Sequence, residues 1–463
     1  MSDDARVSTG NPEADRILGG GFVPNSINIL MGEPGTGKTL FAEQLIFHNA
    51  RADARPVLYL TTLSEPLSKV VTYLQRFAFF DETKLGSAVV YDDLGTALIR
   101  EGIGGLLPRI KEAIQTLGPK IIVIDSFKAL HDLSPSSSEM RRMTSELAGL
   151  LSAYQTTSFL VGEYRTDDVA QWPEFAIADG IVEFARQKRS NADERFIRVS
   201  KLRGSSYLEG LHAIHITSHG LEVYPRLISP VVPLDYHAHW ERVPTGIPGL
   251  DPLLGGGVWR GSSTLVVGPT GAGKTTLGLQ FALTAAAAGE PALYINFQEN
   301  PTQLARLLDS LASATGAGKH PGLHLFYASS VELQIDRIIV EIFRMIETHG
   351  IRRVVIDAVG DLAMAAADAQ RTHNFLYALV QRFATTGITV MFAMEDTIHG
   401  PLEIPPGPSE FGRLSYMCDN LILLEIERGD RLQRWMTIYK TRASGHDDES
   451  HLMTISEAGV SVQ

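Results

Sequence analysis

The sequence has one cysteine, Cys418, in 463 residues. A single thiol excludes an intrachain disulfide and any cysteine-rich metal site. Long apolar runs are missing as well. The stretch TAAAAG reads as the end of a helix, and no segment is long enough to span a bilayer. Positive charge is in deficit: 41 Lys and Arg stand against 53 Asp and Glu, for a formal net charge of −12. That balance disfavours a generally basic surface for nucleic acid, although a local basic channel stays open as a reading. The first residues, MSDDARVSTG, are polar and acidic, unlike a secretory signal or a transit peptide. What is left is a soluble globular chain, expected in the cytoplasm, with length for two to four domains and a buried core in each half.

Two stretches organise that chain: GEPGTGKT, from Gly32 to Thr39, and GPTGAGKT, from Gly268 to Thr275. Both fit G-x-x-x-x-G-K-[ST], a loop whose backbone N–H groups wrap a nucleotide's phosphates. Glycine is needed because the loop turns sharply and a Cβ would hold the backbone away from the ligand. The candidate phosphate-contacting residues are Gly35, Thr36, Gly37, Lys38, Thr39 and Leu40 in the first copy. In the second they are Gly271, Ala272, Gly273, Lys274, Thr275 and Thr276. Lys38 and Lys274 would reach the β- and γ-phosphates of ATP, and the Thr39 and Thr275 hydroxyls would hold Mg²⁺.

The copies extend well beyond the loops. STGNPEADRILGGGFVPNSINILMGEPGTGKT aligns with PTGIPGLDPLLGGGVWRGSSTLVVGPTGAGKT. Each loop follows a β-rich run and precedes apolar residues at helical spacing. PVLYLTT (56–62) and PALYINF (291–297) read as central strands. KIIVIDS (120–126) aligns with RVVIDA (353–358), and a continuous apolar run ending in aspartate predicts a strand buried on both faces of a parallel sheet. Asp125 and Asp357 then sit at the strand's C-terminal end, where each would serve the Mg²⁺ shell. Strands TSFLVGE (157–163) and ITVMFAME (388–395) follow, and each half closes on further strand-like pieces. Proline density rises in LISPVVPLDYHAHWERVPTG, which places the seam near Pro233. The expectation is two α/β domains, 1–232 and 233–463, mainly parallel and doubly wound, with β-hairpin additions at each end.

The tandem loops, the T-G…G-G-G lead-in and the segments SKLRGSSY and YKTRASGHD resemble the KaiC family, double-domain ATPases of the RecA superfamily from the circadian clock. The resemblance runs from about Ser8 to Gly459. It implies two RecA-like domains, ATP with Mg²⁺ at subunit interfaces, and a homohexamer of two stacked rings acting as a signalling or timing switch. It also implies that Lys201/Arg203 and Lys440/Arg442 reach the neighbouring subunit's ATP, as an arginine finger does. By the same resemblance Ser205, Tyr207, Thr217 and Ser218 lie near the nucleotide of the first ring. Read without it, a K-x-R pair on a strand is a solvated face.

Three places depart from the family pattern. A glutamate pair at the end of the second strand orients the attacking water in the family. Here NFQENP puts Gln298 and Glu299 at those places, and TTLSEP puts Leu63 and Ser64 there, with Glu65 one residue late. One residue on a strand end turns the side chain to the other face. Glu299 is therefore the stronger candidate and Glu65 the weaker, the alternative for Glu65 being a surface charge. Autophosphorylation, the family's second activity, maps to Ser415, with Tyr416 in place of the expected threonine. The base for that transfer maps to Gln298, which cannot take a proton at neutral pH. Ser415 as an ordinary polar residue is the alternative. The sequence ends at Gln463, without the long tail by which the family's clock member meets its activating partner, so full clock behaviour is not expected.

Other candidates are weaker. His212, His215 and His219 lie in a predicted strand and turn, where the first two point to opposite faces, so no zinc site is expected. A DNA motor of the RecA type would need basic loops, and 131–140 and 396–410 carry little net positive charge. A non-catalytic scaffold assembled by ATP is the third reading, favoured in the first half by Leu63 and Ser64.

Overall fold

The computed structural model describes residues 6–62, 67–188, 193–230, 239–315, 321–329, 334–365, 369–395 and 410–463. The chain divides into two compact units, Met1–Arg226 and Leu227–Gln463. The expected seam at Pro233 lies outside the described residues.

In the first unit the strands are β1 (Ile27–Gly32), β2 (Val57–Thr61), β3 (Val89–Asp93), β4 (Ile121–Asp125), β5 (Thr157–Gly162), β6 (Gly180–Lys188), β7 (Asp193–Leu202), β8 (His212–Thr217) and β9 (Gly220–Tyr224). They form one sheet in the order β3-β2-β4-β5-β1-β6-β7-β8-β9. The run from β3 to β6 is parallel, and β7 to β9 are antiparallel additions. The parallel strands read as continuous β-branched runs because both faces are covered. Alternate residues separate into two cores. Tyr59, Ile121 and Val123 pack on one side with Phe41 and Leu45 of the helix Lys38–Asn49. Leu58, Leu60, Ile122 and Ile124 pack on the other with Ile110, Ile114 and Leu147.

The second unit repeats this plan. A short ribbon, β10 (Arg242–Val243) with β11 (Val258–Trp259), precedes β12 (Ser263–Gly268), β13 (Ala292–Asn296), β14 (Leu323–Tyr327), β15 (Arg353–Asp357), β16 (Thr389–Glu395), β17 (Asn420–Arg428), β18 (Leu432–Thr441), β19 (Ser450–Ser456) and β20 (Gly459–Val462). The large sheet runs β14-β13-β15-β16-β12-β17-β18-β19-β20, the same order position by position. Val354 and Ile356 enter one core, while Tyr294 and Val355 enter the other with the helix Lys274–Ala287. The two α/β sheets and their antiparallel ends are as the sequence predicts. The outer strands β3 and β14 are additions to that expectation.

In both sheets the strand that enters the phosphate loop is central, and the strands ending in Asp125 and Asp357 lie two places away. Parallel strands therefore deliver all their C-terminal ends to one edge of each sheet, where ligands of open α/β sheets bind.

Candidate active site

Each loop closes onto its helix through a glycine in the left-handed region, Gly37 at φ +103° and Gly273 at φ +102°. A Cβ at Gly273 would sit 2.5 Å from the movable tip of the Ile455 side chain, so it is the left-handed backbone conformation that calls for glycine there. The next residue is the lysine. Lys38 Nζ donates to the Glu33 carbonyl at 2.9 Å, and Lys274 Nζ to the Gly268 and Pro269 carbonyls at 2.7 and 2.9 Å. Each ammonium thus lies folded over its own loop. Burial lowers the pKa of both. For Lys38 the carboxylates of Glu163, Asp125 and Glu33 oppose that shift, and for Lys274 those of Glu395 and Asp357.

Below the lysine, three residues meet in each unit. Thr39 Oγ1 and Tyr59 OH both donate to Asp125 Oδ2, each at 2.8 Å. Thr275 Oγ1 and Tyr294 OH both donate to Asp357 Oδ2, at 2.7 and 2.6 Å. The threonine hydroxyl and the strand-end aspartate predicted from spacing are therefore in direct contact. The tyrosine was not singled out by sequence reasoning, although it stands at the same place in PVLYLTT and PALYINF. Burial raises the Asp125 pKa, with the bonds from Tyr59 and Thr39 and the charge of Lys38 acting the other way.

These hard oxygens fit Mg²⁺, which takes one or two protein oxygens and completes its shell with water and phosphate oxygens. Thr39 with Asp125, and Thr275 with Asp357, would hold it. When bound it would neutralise charge developing between the β- and γ-phosphates. Among the described residues no cluster of three His, Cys, Asp or Glu forms a self-sufficient metal cage.

An arginine contact to each loop recurs and was not expected. Arg195 Nε on β7 donates to the Gly35 carbonyl at 3.1 Å, and Arg434 Nε on β18 donates to the Gly271 carbonyl at 3.0 Å. The antiparallel additions thus fasten the loops from the side. The only advance signal was an arginine six residues before the K-x-R lysine in each half.

A cavity of about 500 Å³ opens at the first site, bounded by Gly35, Lys38, Thr39 and Asp125 and by Tyr73 and Ile216. That volume is in the range of small-molecule pockets. Ile216 is the wall residue there. Its predicted neighbour Thr217 donates to Glu222 Oε1 at 3.1 Å, and the Ser218 carbonyl accepts from the Ala78 amide at 2.8 Å. Ser205 Oγ donates to the Leu18 carbonyl at 3.2 Å, and Tyr207 packs against the core beside the helix Lys38–Asn49. None of these four is brought onto the phosphate loop within one chain.

The K-x-R pairs sit beside a β-bulge in each unit, after Ile181 opposite Lys201 and after Leu421 opposite Lys440. Such bulges re-aim neighbouring side chains. Arg203 approaches Asp179 at 3.5 Å and Arg442 approaches Asp419 at 3.9 Å. Lys440 Nζ donates to the Ser415 and Cys418 carbonyls at 2.9 and 2.7 Å, and Arg442 donates to the Tyr416 carbonyl. The second pair is thus tied to the helix Glu410–Met417, which carries Ser415.

At the end of β13, Asn296 Oδ1 accepts from the Gln298 and Glu299 amides at 3.1 and 3.0 Å, so the strand turns sharply there. Gln298 Nε2 donates to Asp361 at 3.0 Å and is exposed, while Glu299 is half-buried. Leu63, Ser64 and Glu65 lie outside the described residues. His212 uses both ring nitrogens, with the Leu208 carbonyl and the Arg226 amide, each at 3.0 Å.

A family model for the KaiC ATPase matches residues 7–228 and again 243–463. Among curated proteins, the circadian clock protein KaiC2 of Synechocystis sp. is 25% identical over 465 residues, covering 98% of this chain and 81% of the relative. The circadian clock oscillator protein KaiC of Synechococcus elongatus is 25% identical over 466 residues, covering 97% and 87%.

Proposed function

This chain belongs to the KaiC family of ATPases, and on that premise we propose that it binds Mg²⁺-ATP at both loops, hydrolyses it, and serves as a signalling or timing switch. The observation that carries the reading is the Thr–Asp–Tyr set, made with the same atoms below both loops. Core packing alone does not require a hydroxyl, a carboxylate and a phenol to converge twice beside a phosphate cradle.

In this reading Lys38 and Lys274 leave their loop carbonyls for the β- and γ-phosphates. Glu299 orients the water in the second domain. Chains assemble as a homohexamer in which Lys201/Arg203 and Lys440/Arg442 meet a neighbour's ATP, and the output passes to protein partners rather than DNA. The bonds from Lys440 to Ser415 and Cys418 support a link between finger and candidate phosphosite, because a lysine drawn to a neighbour's phosphate would release that helix end.

The test is ATP turnover and ³²P incorporation in one incubation, for wild type, Glu299→Gln and Ser415→Ala. Label retained by wild type and lost in Ser415→Ala establishes an autokinase. Phosphate release that collapses in Glu299→Gln without retained label leaves a ring ATPase. Absence of turnover puts the scaffold reading first, the reading that Leu63 and Ser64 favour for the first domain.

A further inference from the structure

The first domain has leucine and serine where the family's water-orienting acids stand, yet a different carboxylate borders its phosphate site. Glu163 follows β5, whose Gly162 pairs with Met31 of β1 just before the loop. It lines the cavity together with Gly35, Lys38, Thr39 and Asp125. Strand alternation sets its direction: Leu160 and Tyr164 enter the core away from the loop helix, whereas Val161 enters the core that contains it. Glu163 therefore faces the loop helix. Its charge acts on the Lys38 ammonium more strongly than those of Asp125 and Glu33.

The backbone at this point is anchored from both sides. Lys128, three residues after Asp125, donates to the Glu163 carbonyl at 2.6 Å and to Asp168 at 3.1 Å. Tyr164 is held by a 2.5 Å bond to the buried Glu174. The second domain supplies an independent view of the same position. Glu395 ends β16 on the face of Met391 and Ala393, and its carboxylate accepts a hydrogen bond from Thr270 of the loop itself. A carboxylate at this strand end thus reaches the phosphate loop.

We propose that Glu163 is a catalytic residue of the first domain, the carboxylate that orients and deprotonates the water attacking the γ-phosphate. This rests on the ATPase reading above. The water oxygen forms a bond to the γ-phosphorus as the bond to the β,γ-bridging oxygen breaks and its electron pair leaves with ADP. The water proton passes to the Glu163 carboxylate and from there to the released phosphate. Glu395, held by Thr270, stands at the aligned strand end of the second domain, where Glu299 keeps the water-orienting role.

The test uses the full chain carrying Lys274→Ala, so that turnover reports the first domain. Phosphate release and affinity for a fluorescent ATP analogue are measured for that parent and for added Glu163→Gln, Glu163→Asp or Glu65→Gln. The expected result is a fall in kcat of about 100-fold or more for Glu163→Gln. Analogue affinity should stay within about threefold, with partial recovery in Glu163→Asp. Unchanged kcat in Glu163→Gln overturns the proposal alone, as does loss of analogue binding in parallel with turnover, or a collapse in Glu65→Gln only. A parent that binds the analogue yet releases no phosphate overturns it as well. Wild-type chain without turnover overturns the ATPase reading too.

Discussion

The two phosphate sites are fastened alike and surrounded differently. In each, a lysine lies over its loop, a threonine and a tyrosine share one aspartate oxygen, and an arginine from the antiparallel end holds a loop carbonyl. The differences lie one layer out. Thr270 of the second loop bonds Glu395, whereas the first loop has Pro34 at that place and no hydroxyl to offer. On the loop helix, Glu43 of the first domain is 1% exposed and accepts a 2.6 Å bond from Tyr91, where the second domain has the buried Leu279. On the strand ending in the site aspartate, Ile121 of the first domain is replaced by Arg353 of the second. The contacts on and below each loop are the same in both domains, while neighbouring core positions differ in packing and charge.

Arg353 is the largest of those differences. It is 1% exposed, bonds Glu290 at 3.0 Å and the carbonyls of Pro244 and Phe281 at 3.0 and 3.3 Å, and lies over the Phe281 ring. Arg353→Ala strands Glu290 beside Arg260 alone and should destabilise the second domain by about 3–5 kcal/mol. Ile121→Ala in the first domain leaves no charge unpaired. Urea unfolding followed separately for the two transitions should move the second in Arg353→Ala and the first in Ile121→Ala. Next in size are Lys38→Ala and Lys274→Ala. Each should weaken ATP binding at its own loop by about 2–5 kcal/mol, so calorimetric stoichiometry should fall from two per chain to one in either variant.

Glu43 should make the stability of the first domain depend on pH. Burial pushes its pKa up to about 8, against the bond from Tyr91 and with help from the charge of Asp125. The folded state therefore keeps a proton that the unfolded chain releases near 4.5. Glu43 contributes full stability below that value and loses it as pH rises towards 8. The groups around it are Tyr91, Tyr59 and Asp125. Glu43→Leu copies the second domain and should remove this slope. Between pH 5.5 and 7.5, wild type should lose on the order of 2 kcal/mol relative to the variant in denaturant melts. A constant difference would contradict the assignment. The smallest effect is expected for Thr270→Ala, which makes the second loop resemble the first in lacking that hydroxyl. Losing one exposed hydrogen bond should change the KM for ATP by a few-fold, about 1 kcal/mol, at nearly constant kcat.

Legibility followed the same division. Lys38, Thr39, Asp125 and their twins could be singled out because the phosphate-loop pattern fixes residue type and spacing, and because two copies repeat it. Tyr59 and Tyr294 were hidden, since an aromatic in a central strand is ordinary core and only the third dimension brings its hydroxyl to the aspartate. Arg195 and Arg434 were hidden for a similar reason: their loop contacts span 160 and 163 residues of sequence, across an antiparallel sheet. Glu163 and Glu395 were visible as strand ends without a role, because terminal acids usually face solvent. Strands β3 and β14 escaped notice because VVYDD and LHLFY are short edge runs with little alternating pattern.

If both halves are working ATP sites, phosphate release by the two single-site chains, beside wild type and the double variant, will show it. Lys38→Ala and Lys274→Ala should each bind one ATP per chain and release phosphate from the remaining site, and the double variant should do neither. A single-site chain that binds its one ATP and releases no phosphate would contradict the claim for the half it retains.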